Sequence, residues 1–416
     1  MLTHSYYEED PRVRREAEAL VESGRGVDVL ALRRPGTPER ECLDGVSVHR
    51  LPVHRNQGAP LGRYLAEYAD FFARSTLAAA RLHRRRRYGL VQVHTLPDPL
   101  VFAVSPLRML GVPVLLDLHE AMPEFFRSRF PAASRPAVHA GLLGAEHASI
   151  AFASHVLTVN EALADRLVGL GVPRERVTVI LNSPRADRFD PGLFPARPFM
   201  ADGILRLVYA GALTPLYQLE LVVEAIAMLA RSGRSSAGAE TPSSGPPATP
   251  ETPIQVTLDM FGRGDAQPAI EAAAASLGVA DRVTFHGRIP IEDVPARIAD
   301  ADAGLAPTRR DEFTDFSLST KIFEYAAMGK PVIASRLPTV ERYFGRDTLW
   351  YFEPGDARSL AASIRGLVTH PDRRGASAAA AAARVRELAW EREASRYVAL
   401  VDGLAGASRC APPRGW

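Results

Sequence analysis

The stretch DEFTDFSLSTKIFEYAAMGKPVIAS, Asp311 to Ser335, reads as a polar loop, a helix and a buried strand in direct succession. Ser317, Ser319 and Thr320 are short polar residues able to cap the helix. The free amides and positive dipole end there favour a phosphate, and Lys321 adds a full charge. Glu324 lies three residues beyond Lys321 and four beyond Thr320, so all three share one helical face and can meet one ligand. Gly329 closes the helix, and Pro331–Ala334 is the strand that follows. A phosphate at the helix start with hydroxyls at Glu324 describes a nucleotide or a nucleotide sugar. The same spacing also suits a capped surface helix with an ordinary Lys/Glu pair.

Outward from this unit, strand-like runs alternate with helical patterns. Val27–Ala31, Leu90–His94, Val112–Leu116, Val156–Val159 and Val177–Leu181 come first. Ile204–Ala210, Ile254–Phe261, Val283–His286, Gly304–Ala306, Pro331–Ala334 and Leu349–Phe352 follow a Pro- and charge-rich interruption at Arg185–Gly203. Such alternation predicts an α/β chain of two doubly wound parallel sheets, 1–190 and 200–388. Ligands of such sheets sit at the carboxyl ends of strands, which makes a cleft between two facing domains the expected site. Residues 232–253 lose every large apolar side chain and read as a disordered loop. Residues 389–416 begin with a further helical pattern that could pack back on the first domain. Met1–His4 is very short for a central first strand: either this strand is unusually short or the sequence begins late. Asp10-Pro11 already starts a helix.

The composition narrows the function. With 416 residues, 24% charged, 46% hydrophobic and a net charge of +2, the chain reads as a soluble globular protein with no case for nucleic-acid binding. Cys42 and Cys410 match no metal or redox spacing, and a reducing compartment is expected. The opening MLTHSYYEEDP has neither the positive nor the apolar region of a signal peptide, and no run approaches the roughly 18 apolar residues of a membrane span. A cytoplasmic protein is expected. The basic cluster at Arg81 and Arg84–Arg87 could rest on anionic lipid at the inner face of a membrane, or be a solvated helix end.

Glycines follow three strands of the second domain, at Gly211 with Thr214, at Gly262 and Gly264, and at Gly287 beside His286. Each lets a backbone approach a ligand closely, or simply makes a turn. Gln267 stands where a dinucleotide fingerprint needs its third glycine, and no helix is expected to open directly from that loop, so NAD is poorly supported. In the first domain His4, His94 and His119 sit at or just after strand ends, where His94 or His119 could face the cleft. No spacing matches HExxH, a carboxylate metal cluster, GxSxG or a Walker A loop. Neither a metal nor a cofactor is expected.

Lys321-Ile-Phe-Glu324-Tyr-Ala-Ala-Met-Gly329-Lys-Pro331, with Gly211, Gly262-x-Gly264 and His286-Gly287 upstream, resembles the family 4 retaining glycosyltransferases of GT-B fold. The opening Ser5–Glu16 is similar to that family's first loop and helix, so the resemblance covers nearly the whole chain. It implies a nucleotide-sugar donor in the second domain, with Glu324 on the ribose hydroxyls and Ser319–Lys321 facing the diphosphate. It implies an acceptor, a glycan or a lipid-linked sugar, in the first domain, with His119 near the transferred sugar and His4, His94 and Glu120 on the acceptor side. Synthesis of a surface polysaccharide or glycoconjugate is the role expected. Two departures stand out. The family often carries a glutamate eight positions before Glu324, where this chain has Phe316, and a basic pair in the loop that here reads Gly211–Gln218. Lys321, helped by Arg309 or Arg310, could compensate. The alternatives are a nucleotide-sugar epimerase of the same fold and a binding protein without chemistry.

Overall fold

The computed structural model describes residues 1–53, 61–130, 134–195, 197–231 and 252–410. The stretch expected to be a loop at 232–253 therefore lies, apart from 252 and 253, outside the described residues. The chain divides into two compact units, one of Met1–Asn182 with the chain from Glu391 onward, the other of Ser183–Trp390.

In the first unit the strands are β1 Asp28–Leu32, β2 Arg40–Leu43, β3 Val46–Leu51, β4 Val91–His94, β5 Val114–Leu118, β6 His155–Thr158 and β7 Val177–Val179. They pair as β1-β3-β2 and β4-β5-β6-β7, parallel except for the β2–β3 hairpin. Leu2 bridges Leu30 of β1 and Val93 of β4 in parallel, so a minimal first strand sits between the two groups. Helices α1 Pro11–Glu22, α2 Leu61–Arg86, α3 Ser105–Met109, α4 Met122–Arg129, α5 Pro136–Phe152 and α6 Glu161–Gly169 connect them. Asp10 caps α1 by accepting from Val13 N at 3.2 Å, with Pro11 in the first turn.

The hairpin escaped the sequence reading because β2 is a polar, exposed edge strand, although its turn Asp44-Gly45, both at positive φ, is a strong hairpin signal. The expected Val112–Leu116 strand lies two residues later. Val112 N bonds Leu107 O to close α3, and Pro113 has no N–H for a ladder. That shift carries Asp117 into the strand and leaves His119 just past its end.

In the second unit β8 Ile204–Ala210, β9 Gln255–Phe261, β10 Val283–Gly287, β11 Ala303–Ala306, β12 Val332–Ser335 and β13 Trp350–Phe352 form one parallel sheet, ordered β10-β9-β8-β11-β12-β13. The helices are α7 Leu219–Arg231, α8 Gln267–Ser276, α9 Val294–Ala299, α10 Thr320–Ala327, α11 Pro338–Phe344, α12 Ala357–Thr369 and α13 Pro371–Glu387. Leu207, Val222, Ile226, Leu258 and Ile364 are among the fully buried core residues. Helix α8 opens immediately after the glycine loop, correcting the expectation that no helix would. Pro268 in its first turn presets the backbone there.

Helix α14, Trp390–Cys410, belongs from Glu391 onward to the first unit. Glu393 Oε2 accepts from Leu181 N at 2.9 Å, and the Tyr397 hydroxyl donates to Gln92 Oε1 at 2.5 Å. Among the described residues no helix is long and apolar enough to cross a membrane.

Candidate functional site

In the second unit, the carboxyl ends of β8, β9 and β10 are stitched together by backbone. Gly211 N donates to Phe261 O at 2.8 Å, Gly262 N to Gly287 O at 2.7 Å, and Ala266 N to Leu213 O at 3.0 Å. A Cβ on Gly262 would stand 1.8 Å from Gly211 O, and one on Gly264 would stand 2.0 Å from Leu213 O. These two glycines are therefore required by loop-on-loop packing alone.

Gly211 differs: its missing Cβ would lie 2.3 Å from Lys321 Cε and 2.8 Å from Nζ. The lysine stem runs through the space the glycine leaves. Lys321 Nζ sits 4.1 Å from the centroid of Tyr217 and 5.2 Å from that of Tyr209, a cation over aromatic faces. Tyr209 is anchored by its hydroxyl donating to Ala212 O at 2.7 Å, and Tyr325 accepts from Ala210 N at 3.0 Å. Lys321 thus delivers a charge to the Gly211–Gln218 loop, which has no basic residue of its own. It is 7% exposed, and no carboxylate partner for it occurs among the described residues.

Ser319 occupies the N-cap of α10, yet its side chain makes no capping bond. Thr320 opens the helix, half-buried, and Glu324 is half-buried one turn on. Ser317 N closes onto Thr314 O at 3.0 Å, and Ser317 Oγ donates to Phe313 O at 3.4 Å. The half-buried Phe316 ends the short 3-10 turn Thr314–Phe316. Thr214 begins the 3-10 turn Pro215–Tyr217 that presents Tyr217. Arg309 and Arg310 are turned to Asp311 and Asp315 of their own loop, at 2.8 and 3.0 Å. His286 Nε2 lies 2.6 Å from Asp259 Oδ1, its ring stacked 4.4 Å from Phe261.

In the first unit, β4 and β5 bring His94, Asp117 and His119 together. Arg12, in the first turn of α1, grips Asp117 with two parallel bonds, Nε to Oδ2 at 2.9 Å and a terminal nitrogen to Oδ1 at 2.8 Å. Its other terminal nitrogen donates to Ile180 O at 2.9 Å. His94 Nδ1 and His119 Nε2 lie 3.0 and 3.1 Å from Asp117 Oδ2. Despite burial, Arg12 and the two imidazoles hold the Asp117 carboxyl well below the usual range. Glu16 adjoins Arg12 at 3.1 Å and accepts from Gln92 Nε2 at 2.6 Å. Burial pushes its carboxyl up to about 8 against the pull of Arg12.

His94 is fully buried, and burial lowers its pKa. The His119 ring is 20% exposed. Glu120 is half-buried, and burial raises its carboxyl. His4 turns elsewhere, packing on Tyr68 and Phe71 of α2, 3.3 Å from Glu67.

One atom from each of His94, Asp117 and His119 lies within 4.8 Å of the others, a grouping no sequence spacing announced. Arg12 already occupies both Asp117 oxygens, so the charge a cation would bring is present. Sequence reasoning passed over Asp117 itself. A carboxylate within the apolar strand VLLDL implies a buried partner, and Arg12 and Glu16 stand one helical turn apart.

Comparison with known proteins gives these two units a family. Residues 10–183 match a glycosyl transferase 4-like domain, and residues 205–370 match the glycosyl transferases group 1 domain. A D-inositol 3-phosphate glycosyltransferase of Geodermatophilus obscurus is 25% identical over 95% of this chain and 85% of its own. A 2-deoxystreptamine glucosyltransferase of Streptomyces kanamyceticus is 23% identical, over 86% of this chain and 89% of its own. Among solved structures, sucrose-phosphate synthase from Thermosynechococcus elongatus superposes with a TM-score of 0.76 at 20% identity, covering 98% of this chain and 99% of that one. Anabaena HepE in complex with UDP-glucose gives 0.68 at 14% identity, covering 97% and 99%. With both halves matched in order and the GT-B fold shared along the length, the chain belongs to the family 4, group 1 glycosyltransferases.

Proposed function

We propose that this glycosyltransferase moves a sugar, with retention of configuration, from a nucleotide-sugar donor to a hydroxyl of a glycan or glycolipid acceptor without a metal ion. The observation that carries the reading is the Lys321 ammonium, lodged beside Gly211 and over Tyr217 at the start of α10, one turn before Glu324. The charge and the helix amides would face the diphosphate, and Glu324 would accept from the ribose hydroxyls. His119, Glu120 and the first unit would serve the transferred sugar and the acceptor.

Departure of the diphosphate leaves an oxocarbenium-like sugar, so charge stabilisation at the leaving group dominates. As the bond from C1 to the phosphate oxygen breaks, the acceptor oxygen bonds C1 on the same face, and its proton passes to the departing phosphate oxygen. Lys321 supplies the positive charge that the family's basic loop residues would otherwise give. HepE was solved with UDP-glucose, which makes UDP-sugars the first to try. The relatives named for D-inositol 3-phosphate and 2-deoxystreptamine support a polyhydroxylated acceptor. Arg84–Arg87 are exposed at the end of α2, and Met109 and Leu110 at the end of α3 are 87% and 71% exposed. These favour contact with an anionic lipid surface at the inner face of a membrane, which vesicle co-sedimentation would test.

The test is thermal stability against UDP-, GDP-, ADP- and dTDP-sugars, for the protein and for Glu324→Ala. A shift with one nucleotide that disappears in the variant supports the donor site and names the base. No shift with any of them defeats the reading.

A further inference from the structure

We propose that Asp117, clamped by Arg12, is the positioning residue of His119: it accepts the Nε2–H hydrogen bond and so leaves Nδ1 as the ring nitrogen offered to substrate. The inference rests on His119 serving the transferred sugar, and it assigns roles to Asp117 and Arg12.

Geometry determines the protons. An ionised carboxylate only accepts, and Asp117, held at both oxygens by a guanidinium, is ionised. Each imidazole nitrogen that touches it must then carry hydrogen: Nδ1 of His94 at 3.0 Å and Nε2 of His119 at 3.1 Å. The 3.3 Å approach of these two nitrogens is an adjacency of two donors that share one oxygen. The choice of ring nitrogen by its partner is the usual way a histidine's tautomer is set.

The two histidines then differ in kind. His94 has its Nε2 buried without a hydrogen-bond partner, so its neutral form suits the site. His119 keeps an exposed edge, with Nδ1 able to accept from a sugar hydroxyl when neutral, or to donate to a developing negative charge when protonated.

The surrounding charges favour the second state. Burial works against an imidazolium at His119, but the charge and hydrogen bond of Asp117 outweigh it and raise the pKa, with Arg12 opposing and Asp10 assisting. Glu16, Asp98, Glu120 and the neutral His94 complete the titratable groups around the ring. Arg12 is the anchor: with three bonds to Asp117 and Ile180 it fixes where the carboxylate points.

The experiment uses the whole protein with 15N-labelled histidine and long-range 1H–15N spectra from pH 5 to 9, the His119 signals being identified with His119→Gln. The expected spectrum shows His119 protonated at Nε2 throughout and titrating above the ordinary histidine range. A His119 found as the Nδ1–H tautomer at high pH, or titrating at or below that range, overturns the proposal whether or not any variant folds. In Asp117→Asn the His119 titration should fall to the ordinary range or below it, because burial and Arg12 are then opposed by Asp10 without the Asp117 charge. Its kcat should drop about a hundredfold, with donor KM nearly unchanged. Arg12→Lys keeps the charge but loses the two-pronged grip, and should move both readouts less in the same direction. An unchanged titration in a folded Asp117→Asn also overturns it. If instead His119→Gln transfers sugar at the full rate while the pairing is seen, the sugar-side role of His119 fails and the pairing survives.

Discussion

Replacing Lys321 by methionine separates charge from packing. Methionine keeps an apolar stem in the space beside Gly211 and against Tyr217, and removes only the ammonium. Two effects on stability oppose each other. The cation over tyrosine contributes about 0.5–2 kcal/mol. Burying an ammonium with no carboxylate beside it among the described residues works the other way, a cost that the variant relieves. The net change should stay within about 1 kcal/mol. Transfer behaves differently, because the departing diphosphate carries its new charge at the reacting end. Unit charges about 4 Å apart at an effective dielectric of about 20 interact by about 4 kcal/mol. Losing that in the transition state slows transfer about a thousandfold. The assay is the initial rate with the donor found by thermal shift, beside a urea denaturation curve for each protein. A fall in kcat under tenfold, or a destabilisation above about 2 kcal/mol, would refute the assignment and make Lys321 a structural lysine.

Tyr217→Phe keeps the aromatic face under the ammonium and should transfer nearly normally, whereas Tyr217→Ala should lose about tenfold in initial rate. Glu16→Gln should stabilise the protein. With its carboxyl pushed up to about 8, Glu16 binds a proton that the unfolded chain releases near 4.5, so wild-type stability declines between those pH values. The gain in Tm should thus be larger at pH 8 than at pH 5, and an equal gain at both would count against a buried neutral Glu16. Tyr397→Phe removes the 2.5 Å bond to Gln92 and should cost about 1 kcal/mol, read as a Tm lower by about 2 °C.

Much of the framework is local chemistry and was legible in advance. The eleven expected strands all form, because buried parallel strands are apolar runs bounded by turn residues. Helix α1 starts where Asp10 and Pro11 put it, and α10 and β12 follow from the run Thr320–Ser335. The polar edge strand β2 carries no apolar run, and the minimal strand at Leu2 exists only as bridges to two partners on either side.

What the sequence by itself determined was the alternation of strands and helices, the caps, and a lysine and glutamate on one helical face. These depend on neighbours within a few residues. Only the tertiary structure decided what those side chains meet. Lys321 finds Gly211 and Tyr217 across the sheet, Arg12 finds Asp117 from 105 residues away, and Tyr397 finds Gln92 from 305. A buried charge must be satisfied by whatever group the fold brings within hydrogen-bond reach, and no spacing along the chain encodes that partner.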